Sequence, residues 1–283
     1  PYDGCEKLGL YVHIPFCRSI CDFCPYCKYP YSPEQAGEYI HSLLSEIELA
    51  TAGHQKKAVS SLYFGGGTPA LLSDRLHEVI AALERHFTIT QGIGVELHPE
   101  DVTVPTLETL RRAGVSKLSI GIQSFGERYQ SVLGRAPVSP EKLRESLSAA
   151  PFETVSFDFI FALPGQSFDD LRADVDLAFK SGANHVALYP FIQFSYTEST
   201  LPVMGKREKR ELLDRITEYM DMTGRARTSI WTFSSEPSAS YSSMTRENFL
   251  GFGCSATTQL YGQFKINTCS PKAYSERVSK GEL

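Results

Sequence analysis

Tyr11-Val-His-Ile-Pro-Phe-Cys17-Arg-Ser-Ile-Cys21-Asp-Phe-Cys24-Pro-Tyr-Cys27 decides how this chain is read. Four of the seven cysteines fall within its last eleven residues, directly after an apolar, β-prone run. A hydrophobic core does not need thiols at that density. A soft metal does, because thiolates hold iron–sulfur clusters and zinc. Cys17, Cys21 and Cys24, spaced C-x3-C-x2-C, make a loop short enough to wrap one cubane. Three thiolates then bind three irons and leave the fourth without a protein ligand. An open coordination position is where a metal site does chemistry. Cys27 leaves a second arrangement open, because as a fourth ligand it would close the site. Zinc is a third, with Cys21, Cys24 and Cys27 as overlapping C-x-x-C pairs. Structural zinc draws its ligands from two separated knuckles. The remaining cysteines, Cys5, Cys254 and Cys269, are isolated, so the spacing favours iron–sulfur. A disulfide framework is not expected in a chain long enough to bury its own core.

The chain has 283 residues, 42% hydrophobic and 22% charged, with a formal net charge of −5. That composition suits one large α/β domain or a domain with an extension. The acidic balance argues against nucleic acid as a partner. No apolar run reaches the roughly 18 residues of a spanning helix, so none is expected. Clustered free thiols suit a reducing, cytoplasmic setting. The sequence opens at Pro1 rather than Met, so its native start is expected upstream and a targeting segment cannot be judged.

Outward from the cysteine loop, strands and helices alternate. Strands are predicted over 8–14, 59–64, 93–97, 115–122, 154–161 and 185–189. Helices are predicted from Pro33 to about Ala50, from a Ser73 cap, over 105–113, near 126–133, over 140–150 and over 169–181. Six alternations imply parallel strands with right-handed crossovers. A (β/α) barrel, closed or partial, fits better than a doubly wound sheet, because each distinctive motif follows a strand, where barrel enzymes build their sites. Beyond it, an amphipathic helix is expected over 206–223, a strand over 228–233 and a serine-rich loop to Ser243.

Gly65-Gly66-Gly67-Thr68-Pro69 follows the second strand. Three glycines let a backbone approach a ligand closely and expose its N–H groups. As a plain tight turn the run would be unremarkable; its place in a cysteine-nucleated barrel gives it weight. Glu96, Gln123 and Asp158 sit at the ends of, or on, the third, fourth and fifth strands. Each alone is an ordinary polar residue. Together they put polar groups at one rim, and an unpaired buried polar group costs about 1–3 kcal/mol, so a shared polar ligand is the economical reading.

The lead-in Tyr-Val-His-Ile-Pro-Phe-Cys with C-x3-C-x2-C resembles the radical S-adenosylmethionine (SAM) superfamily. The resemblance is to the branch that contains oxygen-independent coproporphyrinogen III oxidase, a related haem chaperone and the class C radical methyltransferases. It implies a partial parallel (β/α)6 TIM-like barrel over residues 1–190, with a C-terminal α/β extension over 191–283. It implies a [4Fe–4S] cluster on Cys17, Cys21 and Cys24, with SAM chelating the open iron and cleaved by one electron to a deoxyadenosyl radical. It places Gly66, Gly67 and Thr68 at the amino group of SAM, Glu96, Gln123 and Asp158 at further SAM contacts, and Arg135 at its carboxylate. Phe23 matches an aromatic that flanks the adenine. Tyr11 matches a catalytic tyrosine near the sulfonium. The family oxidase has its fourth cysteine two residues after the third, whereas Cys27 comes three after. Asn248-Phe-Leu-Gly-Phe-Gly-Cys-Ser-Ala256 resembles a late glycine-rich segment that approaches a second SAM, through Gly253, Ser255 and Ala256; tight packing of the extension is the alternative. Near Leu283 the family continues into a lid domain, expected to be absent from this chain or not observed.

The function expected is reductive cleavage of SAM followed by radical chemistry on a small-molecule substrate, with an electron donor such as flavodoxin or ferredoxin. Methyl transfer to an sp2 carbon, using two SAM molecules, is the leading expectation, because region 234–243 lacks the arginines a tetracarboxylate porphyrinogen should want. The alternatives are a coproporphyrinogen oxidase-like activity and non-catalytic haem delivery.

Overall fold

The computed structural model describes residues 2–235 and 248–282. Its main sheet has eleven strands. They are β1 (Leu8–Ile14), β2 (Leu62–Gly66), β3 (Ile93–Leu97), β4 (Lys117–Gln123), β5 (Thr154–Phe161) and β6 (His185–Pro190), followed by β7 (Ala226–Arg227), β8 (Thr232–Ser234), β9 (Asn248–Phe252), β10 (Thr257–Leu260) and β11 (Gln263–Ile266). Strands β1 to β6 lie side by side in chain order, all parallel. The connections carry α1 (Pro33–Thr51), α2 (Leu76–His86), α3 (Val104–Arg112), α4 (Glu127–Val132) with α5 (Pro140–Ala149), and α6 (Phe168–Lys180). This is the partial (β/α)6 barrel, with its loops at the C-terminal strand ends free to build a site.

The strands read as near-continuous apolar runs because helices cover one face and the barrel interior the other. Val12, Phe64, Val95, Leu118, Ile120, Phe157 and Phe159 are fully buried. Each such side chain contributes about 1.5–3 kcal/mol by leaving water. Ser32, Thr103, Ser139 and Ser167 cap α1, α3, α5 and α6 with their side chains, so sequence and boundaries agree there.

The extension shares this sheet. Strand β8 pairs antiparallel with β6, and β9 pairs parallel with β1. Helix α7 (Lys206–Met222) packs on α6, and α8 (Pro271–Ser279) on α1. Three local expectations change. The strand predicted over 59–64 is broken: Lys57–Val59 pairs with Phe87–Ile89 in a separate ribbon, and β2 begins at Leu62. Ser73 does not cap α2; it closes the 3-10 turn Pro69–Leu72, and α2 starts at Leu76. The strand expected over 228–233 is a turn followed by β8, because Thr232 folds back to accept from the Thr228 N–H. The serine-rich stretch 234–243 lies outside the described residues from 236 onward. Among the described residues no helix is long and apolar enough to cross a membrane.

Candidate active site

A cavity of about 440 Å3 opens at the C-terminal ends of the parallel strands, within the size range of small-molecule sites. Cys17, Cys21 and Cys24 line it together with Phe23, Gly66, Gly67, Thr68, Glu96, Gln123, Arg135 and Asp158. Residues drawn from a span of 142 positions (Cys17 to Asp158) meet here because most lie on or just after strands of one parallel sheet, with Arg135 reaching in from the loop after α4.

The cysteine loop is held at both ends. Arg18 pairs with buried Asp101, and Lys28 donates to the Cys24 carbonyl at 2.6 Å. The Thr68 hydroxyl donates to the Cys17 sulfur at 3.9 Å, and Arg135 Nη1 donates to the Cys21 sulfur at 3.8 Å. Burial pushes the Cys17 thiol up to about 11 and raises that of Cys24, so iron must displace protons to bind. Among the described residues no three side chains stand close enough to share a single ion. Cys17, Cys21 and Cys24 line one cavity, an arrangement that suits a cubane with each thiolate on its own iron.

Glu96 accepts from Tyr63 Oη and from the Gly66 N–H, each at 3.0 Å. Asp158 accepts from Ser119 Oγ at 2.5 Å and Ser156 Oγ at 3.1 Å. Burial raises both carboxyls, and the Asp158 group, also facing the Glu96 charge, is pushed up to about 7. Two buried carboxyls whose charges oppose each other favour a cationic ligand that relieves both. Arg135 Nη2 donates to the Gly121 carbonyl at 2.6 Å, while its Nε is buried without a partner among the described residues. An orphaned guanidinium donor in a cavity fits a ligand carboxylate. Gln123 has a left-handed backbone (φ 69°) beside a bulge in the β4–β5 ladder, the local kink that turns a side chain out of strand register. The set of cations and acceptors matches an amino acid headgroup, as SAM carries.

The glycine run packs tightly against its neighbours. A Cβ on Gly66, at φ 118°, would stand 2.6 Å from the His13 ring, and one on Gly67 2.6 Å from the Phe16 carbonyl. The N–H groups of Gly66, Gly67 and Thr68 go to Glu96, Ile14 and Phe16. Their glycine character therefore lets β2 approach β1 and the cysteine loop. An amino group, itself a donor, would find its partner in the Glu96 carboxylate they help to position.

Tyr11 is not among the cavity residues. It lies alongside Tyr63, ring centroids 6.4 Å apart, and its hydroxyl bonds His13 Nδ1 at 2.9 Å. Tyr63, on the neighbouring strand, lines the cavity instead. Gly253, Ser255 and Ala256 are also elsewhere. They follow β9, and a Cβ on Gly253 would stand 2.4 Å from Tyr39 Oη and 2.7 Å from the His13 carbonyl. The close approach is to the protein itself, because β9 packs against β1.

The second half of the cavity is aromatic and apolar. Tyr26, Ile160, Tyr189, Phe191, Phe194 and Trp231 form it. Several belong to the loop after β6, where Tyr189-Pro-Phe-Ile-Gln-Phe was the available sequence signal. His98, also in the lining, is held near 4 by burial and by Arg135 and Arg18, so it is a neutral imidazole at pH 7.

The radical SAM superfamily matches residues 11–178, more than half of the chain. The chain belongs to that superfamily, whose members use a [4Fe–4S] cluster and SAM. Within it, the chain is 27% identical over 290 residues to the heme chaperone HemW of Bacillus subtilis, covering 95% of this chain and 76% of that protein. It is 27% identical over 312 residues to the oxygen-independent coproporphyrinogen III oxidase of Pseudomonas aeruginosa, covering 98% and 67%. The fold is that of coproporphyrinogen III oxidase (HemN) from Escherichia coli, with a TM-score of 0.84 at 22% identity over 98% of this chain and 70% of that one. Against a Mycobacterium tuberculosis HemW, the chain spans 50% of the relative's length. The relatives named here are of oxidase and chaperone type, so they support the alternative to methyl transfer better than methyl transfer itself.

Proposed function

We propose that the protein is a radical SAM enzyme that acts on a tetrapyrrole, in the manner of oxygen-independent coproporphyrinogen III oxidase. One observation carries this reading: a single cavity joins a headgroup-type polar constellation to an aromatic wall. Cys17, Cys21 and Cys24 would hold the cluster, which supplies the electron that cleaves SAM. Glu96, Asp158 and Arg135 would bind and orient SAM, as the buried carboxyls and the orphaned Nε of Arg135 support. Tyr26, Tyr189, Phe194 and Trp231 offer apolar faces on which a flat macrocycle can lie. An external one-electron donor of flavodoxin or ferredoxin type completes the turnover.

A second reading is haem delivery without catalysis, favoured by similarity to the chaperone over 95% of the chain. Only Lys28 and Arg135 bring cationic side chains to the described lining, with Lys28 bonded to the Cys24 carbonyl and Arg135 Nη2 to that of Gly121. That is sparse for a tetracarboxylate. The test is anaerobic incubation of reconstituted protein with SAM, dithionite and either coproporphyrinogen III or haem, read by mass spectrometry. Deoxyadenosine together with loss of carbon dioxide and two hydrogens from the porphyrinogen supports the enzyme. Stoichiometric haem binding with no deoxyadenosine supports the chaperone. A product heavier by one methyl group would restore methyl transfer.

A further inference from the structure

Cys27 does not face the cavity that the other loop cysteines line. Its sulfur lies 4.0 Å from that of Cys254, a residue 227 positions away in the chain. Both sulfurs lie within reach of one acceptor, the Cys269 carbonyl, at 3.0 Å from Cys27 and 2.7 Å from Cys254. No cysteine is disulfide-bonded. We propose that Cys27 and Cys254 are a redox-active pair that closes to a disulfide, tying the end of the cysteine loop to the turn after β9.

Hydrogen bonds hold the backbone on both sides of the pair. His13 Nε2 lies 3.0 Å from the Cys27 carbonyl. A carbonyl only accepts, so Nε2 carries the proton and Nδ1 accepts from Tyr11 Oη. On the other side, the Cys254 N–H donates to Tyr39 Oη at 2.8 Å, and Tyr39 Oη donates to the His13 carbonyl at 2.7 Å. Buried Glu46 accepts from the Gly253 N–H at 2.6 Å and from Asn267 and Tyr274, each at 2.7 Å. His13 thus anchors both cysteines, one through its ring and one through its carbonyl. Sulfurs 4.0 Å apart need to close to about 2.05 Å to form the bond.

The two thiols differ in the way a reacting pair should. Cys27 is partly exposed and Cys254 is fully buried. The Cys254 thiol and His13 next to it favour the Cys27 thiolate, while that neighbouring charge and burial raise Cys254. Cys27 is therefore the attacking sulfur and Cys254 the resolving one. The oxidant is a small-molecule disulfide. The Cys27 thiolate attacks one of its sulfurs and expels one thiolate. Cys254, losing its proton, then attacks the Cys27 sulfur and expels the second. Two electrons pass from the protein pair to the oxidant, and two protons end on the two released thiols. The inference does not depend on which substrate the cavity takes.

The experiment uses cluster-loaded protein, reconstituted anaerobically and poised in mixtures of reduced and oxidised glutathione. Free thiols are trapped with iodoacetamide and the peptides mapped by tandem mass spectrometry, because Cys21, Cys24 and Cys27 share one tryptic fragment. The expected result is a Cys27–Cys254 link rising from almost none to most of the protein along one two-electron curve, reversed by dithiothreitol, with iron content unchanged. In Cys254→Ser, Cys27 should carry a glutathione adduct instead; in Cys27→Ser, Cys254 should form no link. Cys27 that stays alkylatable over the whole range, or that links to Cys269 or to a cluster-loop cysteine, overturns the proposal.

Discussion

The Arg135 guanidinium bridges the Cys21 sulfur, at 3.8 Å, and the Gly121 carbonyl, at 2.6 Å, and leaves its Nε buried without a partner among the described residues. One side chain thus touches a cluster ligand and a strand end while holding a donor for something absent from the protein's own structure. Lysine cannot reproduce this, because it lacks the planar fork.

Arg135→Lys should therefore assemble the cluster but bind SAM more weakly. Losing one charge-assisted hydrogen bond costs about 1.5–3 kcal/mol, roughly a tenfold to hundredfold rise in dissociation constant. Iron analysis and calorimetric titration of SAM check the two halves separately. Unchanged SAM affinity would mean that the orphaned donor meets no ligand carboxylate.

Asp158 gives a pH signature. Its carboxyl is pushed up to about 7 by burial first, with the Glu96 charge adding to it. In the unfolded chain it titrates near an ordinary aspartate. Between those two values the folded state holds the extra proton, so raising pH costs stability across that window and no further above it. Asp158→Asn removes the cost. The melting temperature of Asp158→Asn, minus that of the wild type, should grow from about pH 4 to about pH 7 and then level off. Without SAM, a difference that stays flat across this range would contradict a raised Asp158. Because SAM is a cation, adding it should shrink the difference.

The cysteines separate by placement. Cys17, Cys21 and Cys24 line the cavity, while Cys27 turns to Cys254. Alanine at any of the first three should lower anaerobically reconstituted iron severely and abolish the reduced-cluster EPR signal. Cys27→Ala should keep both. Loss of the signal in Cys27→Ala with its retention in Cys17→Ala would reverse the assignment.

The grouping of Glu96, Gln123 and Asp158 was legible in the sequence because a parallel sheet turns strand ends into one rim, whereas Arg135, in the loop after α4, was expected there only from the family resemblance. The alternation of apolar runs and helical periods fixes which ends those are. What sequence could not separate is a glycine that admits a ligand from a glycine that admits the protein's own backbone. Gly66, Gly67 and Gly253 all show close approach, and in each the intruding atoms belong to His13, Phe16 or Tyr39. Tyr11 has the residue type of a site tyrosine, yet its hydroxyl is taken by His13 from the same strand face. Phe191 and Phe194 of the aromatic wall come from the loop after β6, where no periodicity marks direction. The contact between Cys27 and Cys254 depends on β9 pairing with β1, a long-range parallel pairing that no local pattern announces.

Gly253 provides the final test, because its two readings predict different observables. Its φ of 96° is a conformation that side chains resist, and its Cβ position is filled by Tyr39 Oη and the His13 carbonyl. Tyr39 cannot simply yield, since its hydroxyl links the His13 carbonyl to the Cys254 N–H. Gly253→Ala should therefore cost stability, about 1–3 kcal/mol from backbone strain alone, with more from the displaced Tyr39 hydrogen bonds. Chemical denaturation measures that loss. SAM titration of the folded variant should give the wild-type stoichiometry and an affinity within about twofold, since the cavity lies elsewhere. If the variant instead keeps full stability and loses one of two bound SAM molecules, the segment after β9 contacts a second ligand, and packing is not the reason for its glycine.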